Sequence, residues 1–203
     1  VHLVRNDHLE VVGLEVQVGK LTELVGSRQA VIFGSGGFLH NPALTLEYLR
    51  GPVLGGGATE ACTGDFVDIG IEVGAQLGNM SHAWWDQVVV EQAVRVPETS
   101  KDVYEPFGDS MLIVDRYGRR VVNEKIPYNE RAQVHFDWDP VRREYKNLLL
   151  FMVWDAAVAA STDESRFRFP VPPPGETYDF VISAPTFAEL SSAIEARLVE
   201  LEP

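Results

Sequence analysis

A few residues of the chain have types and spacings that suit binding or proton transfer. Gly34-Ser35-Gly36-Gly37 follows an apolar run, and glycine lets a main chain approach a ligand without an intervening Cβ. Trp84-Trp85 could line an apolar ligand pocket, and Tyr128 could act as a general acid. Each feature also has a plain structural explanation: a glycine turn, packed indoles, an ordinary tyrosine. From residue type alone, the structural explanation is favoured for each.

Several common catalytic arrangements are missing from the sequence. The five histidines are scattered without a His-x-x-x-His pair, and a single cysteine cannot form an intramolecular disulfide or a cysteine-built metal site. There is no Gly-x-Ser-x-Gly elbow, and Cys62 has no histidine partner near it in sequence, so a hydrolase triad is not expected. The glycine segments lack the spacing of a dinucleotide fingerprint or a P-loop. No metal site is predicted.

The charge balance of the chain limits its partners. Of 203 residues, 30 are acidic and 17 are basic, which gives a net charge of −13 at pH 7. A field of this sign repels phosphate, so the chain is not expected to bind nucleic acid or an anionic membrane. The longest apolar run, residues 148–154, is too short to span a bilayer, and no signal peptide is visible. We therefore expect a soluble, cytoplasmic protein.

Strands must position several of these residues. The pattern predicts a strand at 9–18 with a turn after it, and a second strand at 30–33 that leads into the glycines. Because 30–33 is continuously apolar, it is expected to be buried on both faces. Further along, a hairpin is predicted from 111–114 and 120–122, and another buried strand at 148–154.

The predicted helices complete an α+β fold. One helix is expected at 43–49 after Asn41-Pro42, and a last one is expected after Thr186 as far as the end of the chain. The proline-rich residues 169–175 are expected to form an extended linker. The mixture of elements without regular alternation indicates α+β rather than α/β.

A central helix is predicted from the segment after Cys62. Thr63 is expected to be its N-cap, and apolar residues at helical spacing continue to Leu77. The small residues Gly70 and Gly74 on that face predict a close approach to another backbone. Cys62 itself is expected to be a packed neighbour of the site rather than a reactive thiol.

Taken together and in order, five segments resemble the fumarate reductase/succinate dehydrogenase flavoprotein family. Each match is weak alone, but their order extends over most of the chain. The segments, with the family patterns they resemble, are 30–41 (VVLATGGF..N), 63–80 (TGDG…GA.L.NM), 110–124 (IMVNRxGKRFVNE), 145–155 (the strand that follows, ending in Asp) and 186–190 (TLEEL).

The resemblance implies an FAD site. It implies that Ser35, Gly36 and Gly37 are backbone neighbours of FAD and that Gly64 and Asp65 lie at the seam between flavin and substrate. The second glycine of the family's TGDG turn is replaced here by Phe66, which is a departure from the pattern.

The resemblance also implies a type of substrate. The family's dicarboxylate enzymes have an arginine at the position of Tyr128, and a Gln-x-His pair at the positions of Trp84 and Asp86. Losing these donors argues against a small dianion, whereas aromatic residues suit an apolar molecule. The chain therefore looks more like the 3-ketosteroid dehydrogenase branch, with Tyr128 assisting proton transfer, Arg131 as a second catalytic candidate, and Trp84 and Trp85 binding a hydrophobic ketone or enone.

The family's domain plan implies that the chain is a middle piece of a longer oxidoreductase. Residues 1–42 would be strands of the FAD-binding domain, 43–185 the capping domain that covers the substrate, and 186–203 a helix returning to the FAD-binding domain. The fragment alone is then expected to bind FAD weakly or not at all and to be inactive. Its partners would be the remainder of the FAD-binding domain and, through the exposed face of the cap, a second copy.

Two alternatives remain open. One is a fumarate reductase-like enzyme that uses Arg131 or Arg119 to bind a carboxylate. The other is a non-catalytic binding module derived from the cap.

Overall fold

The computed structural model describes residues 1–96, 103, 106, 108–161 and 169–201. The chain divides into two compact units. The first unit consists of Val1–Trp84 with Val96, and the second consists of Trp85–Arg95 with the described residues from Val103 onward. Each unit mixes helices and strands, so the predicted α+β class is confirmed. The predicted domain boundaries at 42/43 and 185/186 concern a longer protein and stay a prediction.

The first unit begins with an antiparallel sheet of three strands, in the order β1 (His2–Arg5), β2 (Val11–Val18) and β3 (Leu21–Gly26). Gly19 has φ 63° and, with Lys20, makes the tight turn between Val18 and Leu21. The β-rich start of the chain and this turn are confirmed. All residues of β3 are exposed.

The strand predicted at 30–33 is wrong. These residues are irregular, and Ile32 is 91% exposed. A strand buried on both faces needs hydrogen-bonded neighbours, and no strand of the described residues pairs with this segment. An apolar segment does not form a strand unless a neighbouring strand pairs with it through hydrogen bonds.

Two short helices follow in this unit. Helix α1 (Pro42–Tyr48) is confirmed, and the Asn41 side chain caps it by accepting from the Leu44 N–H. Helix α2 (Asp65–Glu72) begins one residue later than predicted, because Gly64 at φ 81° is its N-cap, whereas the Thr63 hydroxyl donates to the Asp65 carboxylate at 2.7 Å. The prediction that Thr63 is the N-cap is therefore wrong.

Helix α2 also ends earlier than predicted. Gly74 has φ 79°, its N–H donates to the Ile71 carbonyl, and the Ala75 N–H donates to the Gly70 carbonyl. This pair of bonds is a Schellman ending, which needs a left-handed residue after the helix. A Cβ added at Gly74 would meet nothing within 4 Å. Gly74 terminates the helix, and its predicted close approach to another backbone is wrong.

The second unit contains the remaining elements, including two two-stranded sheets. They are α3 (Val90–Arg95), β4 (Met111–Asp115), α4 (Tyr128–Arg131), a 3-10 helix (Ala132–Phe136), β5 (Trp138–Asp139), β6 (Glu144–Tyr145), β7 (Leu150–Trp154), α5 (Ala156–Ala159) and α6 (Phe187–Leu201).

The pairing of β4 differs from the predicted hairpin. The turn itself is confirmed, since Gly118 has φ 72° and its N–H donates to the Asp115 carbonyl at 3.0 Å. However, residues 120–122 form only a single bridge, between Val114 and Arg120. The long partner of β4 is β7, antiparallel over five residue pairs. Strand β7 itself is confirmed.

The core of this unit forms where Met111 of β4, Val158 of α5 and Val171 pack together, with Met152 and Trp154 against them. Residues 169–175 are irregular as predicted, but Val171 is only 2% exposed. The segment is therefore part of the core and more than a linker.

Helix α6 begins with the predicted cap. The Glu189 N–H donates to the Thr186 hydroxyl at 3.3 Å, and that hydroxyl donates to the Glu189 carboxylate at 2.9 Å. The last two positions of the predicted helix, 202 and 203, lie outside the described residues. None of the helices that the structure describes is long and apolar enough to cross a membrane.

Candidate functional site

Two of the predicted cofactor residues of the first unit, Gly36 and Gly64, lie where the segment after the glycines packs on the turn before α2. A Cβ added at Gly36, which has φ 83°, would lie 2.6 Å from the Cys62 sulfur, so residue 36 packs directly against that side chain. The His40 N–H donates to the Cys62 carbonyl at 3.0 Å, and the Asn41 amide donates to the Thr63 carbonyl at 2.9 Å. The segment after the glycines and the turn before α2 are thus bonded to each other.

Gly64 is a second point of close packing. A Cβ at this position would lie 2.6 Å from both Phe38 Cβ and Leu44 Cδ1, and the residue has positive φ. Its main chain is buried, whereas Asp65 beside it is exposed. Gly36 therefore packs on Cys62, and Gly64 packs on Phe38 and Leu44. Ser35 and Asp65 are exposed.

The exposed main chain of 34–37 fits a group that lies flat against a backbone. Gly34 and Gly37 have nothing within 4 Å of an added Cβ, and neither has a positive φ. Within the described residues, no backbone N–H of 34–37 donates a hydrogen bond. Packing in this chain therefore does not require glycine at 34 and 37. Exposed backbone N–H groups, with no side chain on these glycines to block access, suit an anionic or planar cofactor.

The predicted residues of the second unit meet where α4 packs on the segment after Trp84. Tyr128 is the first residue of α4, and the Trp85 N–H donates to the Asn129 Oδ1 at 2.9 Å. The Trp85 ring contacts Phe136 edge to face, with ring centroids 4.7 Å apart. Trp85 and Tyr128 are therefore on elements bonded to each other.

Trp84 belongs to the first unit, and its residue is 81% exposed. Its predicted part in substrate binding stays a prediction.

Arg131 is fully buried at the end of α4. Its Nε donates to the Gln87 Oε1 at 2.6 Å and its Nη1 to the Glu124 carbonyl at 3.2 Å, while its Nη2 donates to the Val103 carbonyl. A guanidinium held this way joins three segments of the unit. Its contacts are those of a structural cation, and its predicted catalytic part stays a prediction.

His135 extends this network from the 3-10 helix. Its Nε2 lies 2.8 Å from the Gln87 Nε2, and its Nδ1 lies 2.6 Å from the Asn147 carbonyl. Since an amide nitrogen only donates and a carbonyl only accepts, we assign the neutral ring with its proton on Nδ1. Burial lowers the pKa of His135 below its ordinary value, against an opposing effect of the Asn147 carbonyl.

Glu124 connects this region to the sheet. Its buried carboxylate accepts from the Ile113 N–H at 2.8 Å and from the Arg120 guanidinium at 2.5 Å. Burial opposes ionisation, but the bonds to Arg120 and Ile113 outweigh it and lower the pKa of Glu124. Residues 120–124 are not helical, so the four-residue spacing of Arg120 and Glu124 is no sequence signal for this pair, and Gln87, Asn129 and His135 have none either.

The described residues contain no group of three or more His, Cys, Asp or Glu side chains placed to hold a metal.

Comparison with known proteins connects these features to a family. The FAD binding domain family matches residues 1–156. This range includes most of the predicted cap, so the capping-domain assignment is not confirmed.

Several curated relatives are dehydrogenases. The 3-oxosteroid 1-dehydrogenase of Mycolicibacterium smegmatis is 35% identical over 113 residues, covering 53% of this chain and 18% of that protein. The protein of the same name from Mycobacterium tuberculosis is 32% identical over 117 residues, covering 53% and 19%. The 4-oxocyclohexanecarboxylate 2-dehydrogenase of Sinomonas cyclohexanicum is 25% identical over 174 residues, covering 85% and 30%. The chain thus spans less than a third of each relative.

A solved structure shares the fold. The 3-ketosteroid delta1-dehydrogenase of Sterolibacterium denitrificans, in complex with 1,4-androstadiene-3,17-dione, matches with a TM-score of 0.64 and 22% identity. The match covers 77% of this chain and 28% of that chain.

Proposed function

Because the chain belongs to the FAD binding domain family, we propose that it forms part of an FAD-dependent dehydrogenase that oxidises a CH–CH bond beside a ring ketone. The observation that carries this proposal is the hydrogen bond from the Trp85 N–H to the Asn129 Oδ1, 2.9 Å long. It joins an aromatic segment to the helix that begins with Tyr128. Aromatic residues on a segment that is bonded to the helix of Tyr128 suit an apolar ketone that must exchange a proton.

The substrate class follows from the relatives' names. In 3-oxosteroid 1-dehydrogenase and 4-oxocyclohexanecarboxylate 2-dehydrogenase, the numbers place the new double bond between the α and β carbons of a ring ketone. We extend this pattern to the present chain and propose a cyclic ketone, with Trp84 and Trp85 contacting its apolar ring.

The chemistry divides between cofactor and side chains. FAD, when bound, supplies the acceptor for the hydride that leaves the β carbon. Tyr128 holds or moves the proton of the α carbon at its phenolic oxygen, so that loss of one proton and one hydride leaves the double bond. Ser35, Gly36, Gly37, Gly64 and Asp65 would hold the cofactor, through exposed main chain at 34–37 and the start of α2.

The proposed domain plan assigns 1–42 and 186–203 to the FAD-binding domain and 43–185 to a capping domain over the substrate. The dicarboxylate alternative has less support at Arg131, because the three nitrogens of its guanidinium donate inside the second unit and the residue is fully buried. Its other candidate, Arg119, is exposed. A non-catalytic binding module remains the alternative of a different class.

The experiment is a turnover assay of the longer FAD-loaded protein that contains this chain, since the chain alone is expected to be inactive. The substrate is a 3-ketosteroid, and fumarate is the competing substrate. We expect turnover of the steroid and a loss of about 100-fold or more in kcat for Tyr128→Phe, with flavin still bound. Tyr117→Phe is the matched control, because Tyr117 is an exposed tyrosine of the same unit whose hydroxyl donates to Glu144.

Unchanged turnover in Tyr128→Phe would make that tyrosine structural. Reduction of fumarate without turnover of the steroid would favour the dicarboxylate enzyme, and no turnover of either would favour the binding module.

A further inference from the structure

We infer that Gln87 is a positioning residue that fixes the segment of Trp85 against the helix of Tyr128. The inference rests on the proposed function of Tyr128. Gln87 contacts neither the proposed cofactor residues nor Tyr128 through any described bond, and its action passes through Arg131 and His135.

Both polar atoms of the Gln87 amide are engaged. The Oε1 accepts from the Arg131 Nε at 2.6 Å, and the Nε2 lies 2.8 Å from the His135 Nε2. An amide has one acceptor and one donor end, so these two bonds allow only one orientation of the side chain. Rotating the amide would put an N–H against the guanidinium, which cannot accept, and an oxygen against the imidazole nitrogen.

His135 fixes the donor end of this amide. Its Nδ1–H donates to the Asn147 carbonyl at 2.6 Å, which leaves the Nε2 lone pair for the Gln87 amide. Asn147 is 2% exposed, and its own amide donates to the Val134 carbonyl at 3.2 Å. The chain of bonds from Arg131 through Gln87 and His135 therefore ends on a buried residue shortly before β7.

Two attachment points fix the direction of the segment that contains Trp85 and Gln87. The segment is attached at Trp85, which donates to Asn129, and again at Gln87, which accepts from Arg131. A single bond leaves a segment free to pivot, whereas two bonds set two residues apart on both partners fix its direction. Tyr128 directly precedes Asn129, so its position follows from the same pair of contacts.

The test compares Gln87→Leu, which removes both bonds, with Gln92→Leu, a half-buried glutamine of α3, in the FAD-loaded protein. One readout is the hydrogen-exchange rate of the Trp85 and Arg131 amides, which needs no turnover. The other is the split between kcat and KM with a 3-ketosteroid. Misplacing a proton-transfer group by about 1 Å costs up to about 100-fold in rate.

We expect Gln87→Leu to exchange the Trp85 amide at least about 10-fold faster and to lower kcat by about 10- to 100-fold, with a much smaller change in KM. Gln92→Leu should change neither readout. If Gln87→Leu does not fold, Gln87→Glu replaces it, since it keeps the acceptor for Arg131 and loses only the donor to His135; exchange and kcat should then change in the same direction.

Unchanged exchange of the Trp85 amide would overturn the inference, as would faster exchange with an unchanged kcat. Failure of the proposed function has a different outcome: the wild-type protein would not turn over the steroid, or Tyr128→Phe would have no effect, while the exchange rates still report the contacts of Gln87.

Discussion

The two candidate regions are built in opposite ways. The glycine segment of the first unit is exposed, and at positions 34 and 37 neither packing nor backbone angle explains the absence of a side chain. The region around Arg131 in the second unit is buried, and its charged and polar groups bond to one another. The backbone N–H groups of 34–37 in the first region donate no hydrogen bonds to any described residue, whereas the polar groups of the second region bond to one another.

This contrast predicts that substitutions at positions 34 and 37 of the first region change ligand binding and that substitutions in the second region change the free energy of unfolding. Substitutions at the exposed positions 34 and 37, where an added Cβ meets nothing, should leave the folded state nearly unchanged, so their effects should be confined to the ligand. Removing a member of a buried polar network leaves its partners unsatisfied and costs free energy of unfolding. The same type of experiment on both regions should therefore give different results.

The largest effect is expected for Arg131→Met. Loss of the guanidinium leaves the Gln87 Oε1 and the carbonyls of Glu124 and Val103 without this donor. Each buried acceptor left without a partner costs about 1–3 kcal/mol, so we expect the free energy of unfolding to fall by about 3–5 kcal/mol. Denaturant unfolding followed by circular dichroism measures this change.

Arg28→Met is the matched control, because Arg28 is exposed in the first unit. It should change the free energy of unfolding by less than about 0.5 kcal/mol. Equal effects of the two substitutions would contradict the contrast between the regions.

The next effect tests two glycines one position apart. Gly36 has φ 83° and would place a Cβ 2.6 Å from the Cys62 sulfur, so Gly36→Ala should lower the free energy of unfolding by about 1–2 kcal/mol. Gly37 has open space around it, so Gly37→Ala should leave the free energy of unfolding within about 0.5 kcal/mol of the wild-type value.

If 34–37 lies against FAD, Gly37→Ala should nevertheless weaken FAD binding, as measured by flavin fluorescence titration. Equal FAD affinity in Gly37→Ala and wild type would remove that position from the cofactor site.

Local signals in the sequence predict local structure well in this chain. The cap at Asn41, the left-handed turn at Gly118 and the side-chain cap of Thr186 with Glu189 each depend on residues within four positions of one another. Such interactions form from neighbouring residues alone, which is why the pattern of residues identifies them.

Both ends of α2 are missed although Gly64 and Gly74 set them locally, whereas the larger errors arise where distant segments decide the outcome. The apolar residues 30–33 match a buried strand, but no described strand pairs with them. Strand β4 pairs with β7 instead of the nearby 120–122, because five residue pairs are available there. In the candidate site, Gln87 and His135 are 48 positions apart and share no motif, so only the fold brings them together.

The smallest effect is a pH dependence that belongs to the second region alone. Burial lowers the pKa of His135 below its ordinary value of 6.5. As the pH falls below about 6.5, the unfolded chain binds a proton at this residue and the folded chain does not, so the free energy of unfolding decreases until the pH passes the folded pKa. His135→Gln should abolish this part of the pH dependence, whereas His8→Gln, in an exposed loop of the first unit, should retain it. Unfolding curves at several pH values measure the slope, and an unchanged slope in His135→Gln would mean that the imidazole is not held neutral between Gln87 and Asn147.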